Sequence, residues 1–218
     1  MSLLRRKPSV LGRAERMFRD DRAFVVATED TYAPAQYFDA IREPRVIIKV
    51  LGSDDTLSAP EHVVARLKAA YETAVAAGDL LRGDEFWVLL DTDHWVEPNH
   101  IASLQQALLE ARQAGFMLAM SNPCFELWLL LHHEDVPAGT VFGRCAEVGK
   151  RLRARLGRYN KCGVCAEDFP ASSIDDAIRR ARALESNPDS PAGYWPEKAG
   201  TRVYLLVEAI RGKTAVPA

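Results

Sequence analysis

The chain is 218 residues long, 48% hydrophobic and 27% charged, the composition of a globular fold with a real core and not of a disordered chain. Its formal net charge of −2 excludes binding of nucleic acid by bulk charge, so any grip on phosphates has to come from a local basic patch or a metal. The longest apolar runs, such as 127–131, are too short to cross a bilayer, the basic stretch 1–7 lacks the apolar core of a secretory signal, and four cysteines make no disulfide framework, so a cytoplasmic protein is expected.

Residues 1–21 form a basic N-terminal segment. Phe24, Val25, Val26 and Ala27 are a continuous apolar run, a buried strand that ends at Thr28-Glu29-Asp30. Pro34 suits the first turn of a helix with Tyr37, Phe38 and Ile41 on one face. A second strand, 45–50, is rich in β-branched residues and closes at Gly52-Ser53-Asp54-Asp55. Over 59–77 the positions Val63, Val64, Leu67, Ala70, Tyr71 and Ala74 recur at helical spacing, and Gly78 stops that helix. The third strand, 86–90, runs directly into Asp91-Thr92-Asp93, and a helix over about 99–114 ends at Gly115. A fourth strand, 116–120, ends at Ser121-Asn122, after which Pro123 opens an apolar helix over about 124–133 capped by Asn122 or Ser121. Beyond residue 135 the pattern turns helical, over 142–156, 173–185 and 201–210, with Pro- and Gly-rich links at 137–139 and 187–193. Together these predict an α/β fold, with a mainly parallel sheet over 22–135 and a helical part, 136–218, packed on it.

In open α/β sheets, ligands bind beyond the carboxyl ends of the parallel strands. Three strands end there in carboxylates, namely Glu29, Asp54 with Asp55, and Asp91 with Asp93, while Glu126 lies one helical turn past the fourth. Crowded carboxylates repel unless a cation lies between them, and Mg²⁺ (or Mn²⁺) with its oxygen ligands suits such a set. Taken singly, Asp-x-Asp and Gly-Ser-Asp-Asp also suit turns, and Glu29 suits a solvated loop. Glu126 differs, because its helix is apolar nearly all round and a buried charge needs a partner or a metal.

A strand closing in Thr28-Glu29, Tyr37-Phe38 on the next helix, Asp91-Thr92-Asp93-His94-Trp95 and Ser121-Asn122-Pro123-Cys124-Phe125-Glu126-Leu127-Trp128 form a distinctive set. With Tyr159-Asn160-Lys161 and a closing Gly200-Thr201-Arg202-Val203-Tyr204, it resembles the RloB-like family over about 22–208. The resemblance implies the Toprim fold of topoisomerases, primases and OLD-type nucleases, in which a Glu after the first strand and a later Asp-x-Asp form the metal site. Those positions fall on Glu29, Asp91 and Asp93, with Glu29 as acid, base or ligand and the aspartates holding Mg²⁺. The chain departs from the family pattern in having Glu29-Asp30 where many members have Glu-Gly, which adds a carboxylate to the site. Family context also implies restriction or anti-phage loci and a partner ATPase.

Cys162-Gly163-Val164-Cys165 stands alone, and a zinc site there would need two more ligands from Cys124, Cys145 or histidines, so a plain loop carries more weight. His94 beside Asp93 suits positioning of a phosphate or a water, whereas His132 and His133 suit the dipole at the end of the buried helix. Cys145, Val148, Leu152 and Leu156 form an apolar stripe with Arg144, Arg151, Arg155 and Arg158 beside it. Arg151, Arg155, Arg158 and Lys161 are the expected nucleic-acid-binding patch, with Tyr159 available for stacking, though a solvated helix face explains the arginines equally well. The expected function is a Mg²⁺-dependent nuclease, preferably an endonuclease, acting on DNA or RNA through Glu29, Asp91, Asp93 and Glu126. A phosphohydrolase of the haloacid-dehalogenase type fits less well, since its Asp-x-Asp sits on the first strand. A non-catalytic module binding a partner ATPase or nucleic acid is the main alternative. No membrane partner is expected, and a homodimer has room to form.

Overall fold

The computed structural model describes residues 22–53 and 57–212, so the basic segment 1–21 and the predicted carboxylates Asp54 and Asp55 lie outside the described residues. Four apolar runs make the strands β1 (Arg22–Thr28), β2 (Val46–Leu51), β3 (Glu85–Asp91) and β4 (Met117–Asn122). They pair in parallel in the order β2-β1-β3-β4, and a two-residue β5 (Gly200–Thr201) adds antiparallel to β4. The resulting architecture is α/β, Rossmann-like, with helices on both faces of a mostly parallel sheet.

Side chains alternate across the pleat, so one strand feeds two cores. Ala23, Val25, Ala27, Phe86, Val88 and Leu90 point to one face, which α2 (Pro60–Ala76) and α3 (Ile101–Gln113) cover. Phe24, Val26, Trp87 and Leu89 point to the other, together with α1 (Ala33–Ala40), α4 (Glu126–Leu131), α5 (Cys145–Leu156), α6 (Ile174–Ala183) and α7 (Val203–Ile210). Burial on both faces is why β1 and β3 are apolar at successive positions instead of alternating with polar ones. The stripe foreseen on α5 packs as its spacing requires: Val148 and Leu152 are fully buried, with Cys145 and Leu156 against the same cluster.

Three local expectations change. Neither Asn122 nor Ser121 caps a helix, because both still belong to β4: they pair with Gly200 and Thr201, and the helix starts only at Glu126, after a cis Asn122–Pro123 bond. Asn122 Nδ2 instead donates to Pro196 O at 2.8 Å, and the Ser121 and Thr201 hydroxyls meet at 2.8 Å. Thr201, expected in a helix, is therefore strand, and Arg202 N–H continues the pairing by donating to Met120 O at 2.8 Å. Partners for the polar edge of β4 outweigh the helical pattern of 201–210. Two of the four cysteines, Cys124 and Cys145, are joined in a disulfide that ties the entry of α4 to the start of α5, a pairing that the cysteine count did not foretell.

Candidate active site

The chain leaves β1 to one side to make β2 and returns on the other to make β3, so the carboxyl ends of β1 and β3 lie side by side at the switch point of the sheet. Glu29 follows β1 directly. Its Oε1 accepts the Asp91 N–H at 3.0 Å and its Oε2 accepts the Trp95 indole N–H at 2.9 Å. Asp91, the last residue of β3, is only 8% exposed, and its Oδ1 accepts the Phe125 N–H at 2.9 Å. Asp93 has a positive φ of 21° and donates its N–H to Pro123 O at 3.0 Å, while its side chain stays 42% exposed. The loop carrying Glu29 is braced from below. Arg66 Nη1 donates to the carbonyls of Thr28, Leu51 and Gly52, and a Cβ on Gly52 would come within 3.2 Å of the Asp30 and Thr31 carbonyl oxygens.

Asp30, the departure from the family pattern, already has partners for both oxygens. Oδ1 accepts the N–H groups of Tyr32 (2.7 Å) and Ala33 (3.2 Å) at the start of α1, and Oδ2 pairs with Lys161 Nζ at 2.8 Å. Lys161 also lies 3.9 Å from Glu126, whose Oε1 accepts the Tyr159 hydroxyl at 3.3 Å. The loop bearing Lys161 is pinned to α1 by Gln36, which donates to Cys162 O at 3.0 Å and accepts the Val164 N–H at 2.7 Å.

Burial raises the Glu29 carboxyl above its ordinary value against the pull of its Trp95 and Asp91 hydrogen bonds. Asp91 is pushed well above its ordinary value, by burial first and then by the charges of Glu29 and Glu126. Burial also raises Glu126, with Lys161 opposing. Partial burial works against the Lys161 ammonium, yet Glu126 and Asp30 more than offset it and hold the proton more firmly than usual.

These groups surround a cleft of about 350 Å³ lined by Glu29, Asp30, Thr31, Tyr32, Asp91, Asp93, His94, Cys145, Lys161 and Cys162 among others. Glu29, Asp91 and Asp93 thus open on one space, while Glu126 lies buried beside it and is not part of the lining. Among the described residues, the group of three ligand-type side chains whose atoms approach within 4.8 Å is Cys124, Glu126 and Cys145. With the disulfide formed, those sulfurs are not thiolates, so the group offers a cation only Glu126. The hard oxygen donors of Glu29, Asp91 and Asp93 fit Mg²⁺ in kind: burial opposes the charged form of Glu29, and burial with neighbouring carboxylates opposes that of Asp91, which a divalent cation would relieve, while the Asp93 side chain stays open to the cleft.

The basic residues divide. Arg151 pairs with Glu134, Arg155 donates to His133 O at 3.4 Å and Arg158 lies 3.6 Å from Asp168, and none of the three lines the cleft. Lys161 and Tyr159, expected with them on an open patch, turn into the acidic site instead, because the neighbouring carboxylates offer a stronger partner than water. Cys162 and Cys165 are free thiols. His132 is buried, its Nε2 3.1 Å from the Tyr37 hydroxyl and its Nδ1 2.7 Å from Ser173 Oγ, a structural post inside the core. Asp30, expected to add a carboxylate to the site, lines the cleft but spends its oxygens on Tyr32, Ala33 and Lys161; Trp95, two residues past Asp93, was not expected as a partner of Glu29.

The family model described as RloB-like protein matches residues 24–210. No curated protein and no solved structure matches the chain.

Proposed function

The chain belongs to the RloB-like family, and on that premise we propose that it is a metal-dependent nuclease of the Toprim type, cutting phosphodiesters of DNA or RNA. The observation that carries the reading is the junction of Glu29 and Asp91 at the switch point, opening with Asp93 and Lys161 on one cleft. Glu29, Asp91 and Asp93 would hold Mg²⁺ or Mn²⁺, which when bound supplies charge neutralisation and an activated water. Glu29 is fixed by two N–H donors and has a raised pKa, which suits it to accept a proton from the attacking water. Asp91 is held by the Phe125 N–H and cannot drift from the cleft floor. Lys161, half exposed and firmly protonated, faces the cleft as a point charge for a substrate phosphate, and Glu126 orients it from behind. Family context supports a role in restriction-linked or anti-phage defence with a partner ATPase as activator.

The test is to incubate the protein with plasmid, single-stranded DNA and tRNA in Mg²⁺, Mn²⁺ or EDTA, beside Asp91→Asn and Glu29→Gln. Metal-dependent cleavage that falls by about 10²–10⁴-fold in either variant is expected. Absence of cleavage on every substrate, together with no metal binding by calorimetry, would sink it. A non-catalytic module that binds nucleic acid or a partner ATPase is the second reading, favoured by one observation: Lys161 already supplies the acidic cluster with an internal cation.

A further inference from the structure

The geometry points to an unpaired nucleobase as the occupant of the cleft, stacked on Tyr32 and on the His94–Trp95 pair, so that the substrate class is single-stranded or locally unpaired nucleic acid. This rests on the nuclease reading above and narrows it.

Tyr32 is 46% exposed, the one aromatic among the exposed large hydrophobic side chains of the described residues, and it lines the cleft. Its backbone is fixed, since its N–H donates to Asp30 Oδ1 at 2.7 Å. Its ring stacks on no other aromatic, and its hydroxyl has no hydrogen-bond partner, among the described residues. The Tyr32 ring thus leaves a face open to whatever enters the cleft. His94 reaches the same cleft from the turn after β3, 53% exposed, with its ring 4.4 Å from that of Trp95. Trp95 is in turn anchored on Glu29 Oε2, and His100 packs edge-on against both rings at 5.6 and 5.9 Å. The ring pair is therefore tied to the carboxylates that would hold a metal ion at the scissile phosphate.

Aromatic faces beside a phosphate-binding cation are what an unpaired nucleotide needs. The base stacks on the ring at about 1–3 kcal/mol per base whatever its identity, while the backbone meets the charge. In a duplex both faces of each base are already occupied by its neighbours, so neither ring would find a partner without local opening. The cleft, about 350 Å³, is at the small end of ligand sites and takes a nucleotide unit, not a base-paired helix.

The test is fluorescence anisotropy with the full chain in EDTA, where cleavage is silent, using labelled oligo-dT and oligo-U of twelve nucleotides and the matching DNA and RNA duplexes. Single strands are expected to bind at least about tenfold more tightly than duplexes, and Tyr32→Ala and His94→Ala to weaken single-strand binding by about 5- to 100-fold without changing Tm. Tyr32→Trp should retain the affinity, and a 2-aminopurine in the oligonucleotide should be quenched by the wild type and not by Tyr32→Ala. Equal affinity for duplex and single strand, unchanged binding by both alanine variants, or no binding of any oligonucleotide would overturn the inference. The two readings fail separately. Cleavage of duplex as readily as of single strand removes this one and leaves the nuclease, whereas single-strand preference without metal-dependent cleavage removes the nuclease and leaves this one.

Discussion

Asp91 is a carboxylate whose charge is opposed first by burial and then by Glu29 and Glu126 nearby, and it is held in place by one backbone hydrogen bond from Phe125. An amide has the same shape, keeps an oxygen for the Phe125 N–H and carries no charge. Asp91→Asn is therefore expected to stabilise the metal-free protein by on the order of 1–3 kcal/mol, roughly 2–10 °C in Tm, while abolishing activity. Thermal unfolding in EDTA checks it, with Asp93→Asn as a control; that side chain is 42% exposed, so its removal should change Tm little. A lower Tm for Asp91→Asn would mean that the carboxylate is satisfied by its surroundings. The same reasoning separates Asp30 from the proposed ligands: its two oxygens are used on the Tyr32 and Ala33 N–H groups and on Lys161, so it positions Lys161 and does not offer an open ligand atom.

At the scale of elements, α4 holds the most threads. All six of its residues are buried, the Phe125 N–H before its first residue fixes Asp91, Glu126 holds Lys161 and Tyr159, and the disulfide at Cys124 fastens it to α5. Its far end is posted by His132 between Tyr37 of α1 and Ser173 ahead of α6. Burial first, then His133 and Arg180, lowers the His132 pKa from 6.5 to about 3. The unfolded chain therefore takes up this proton before the folded one does. The stabilisation is whole above pH 6.5 and is lost as pH falls from there toward 3, by up to about 1.4 kcal/mol per pH unit. Urea unfolding at pH 7.5, 6.0 and 5.0 should show a steeper loss in wild type than in His132→Gln. The raised carboxylates of the site tilt stability the opposite way on acidification in both proteins, which is why the difference between the two is the readout. Parallel slopes would show that His132 takes up its proton in the folded state as readily as in the unfolded one.

Across the whole molecule the two apolar clusters hold the sheet rigid, and the acidic cleft is carried at one end of it, where β1 and β3 stop. Folding brings Glu29, Asp91 and Asp93 to a common space that the unfolded chain lacks, so a cation held there binds the native state alone. Mg²⁺ or Mn²⁺ at about a hundred times its dissociation constant would add about 2.7 kcal/mol, a rise of roughly 5–10 °C in Tm for a chain of this size. Differential scanning calorimetry with each metal against EDTA measures the shift, and Asp91→Ala should erase it. An unchanged wild-type Tm at millimolar metal would remove the proposed metal site. No helix of the described residues is long and apolar enough to cross a membrane.

Much of this was legible in the order of residues. The four parallel strands, the helices between them and the placing of Glu29, Asp91 and Asp93 at strand ends follow from short continuous apolar runs and from apolar positions at 3.6-residue spacing, which depend only on near neighbours in the chain. The family was legible too, in Asn-Pro-Cys-Phe-Glu-Leu-Trp and the motifs around it. What the chain order did not carry was who meets whom across long separations. Lys161 and Tyr159 looked like members of a basic helix face, and only the closure of the C-terminal helices over one side of the sheet brings them to Asp30 and Glu126. Ser121 and Asn122 looked like caps until β5 arrived to pair with them, and Cys124 and Cys145 looked unrelated until α5 packed on α4. Local pattern determined the elements and the residues at their ends. Tertiary packing decided which charges share a partner, because a buried carboxylate takes the cation that the fold delivers to it, however far away in the chain that cation began.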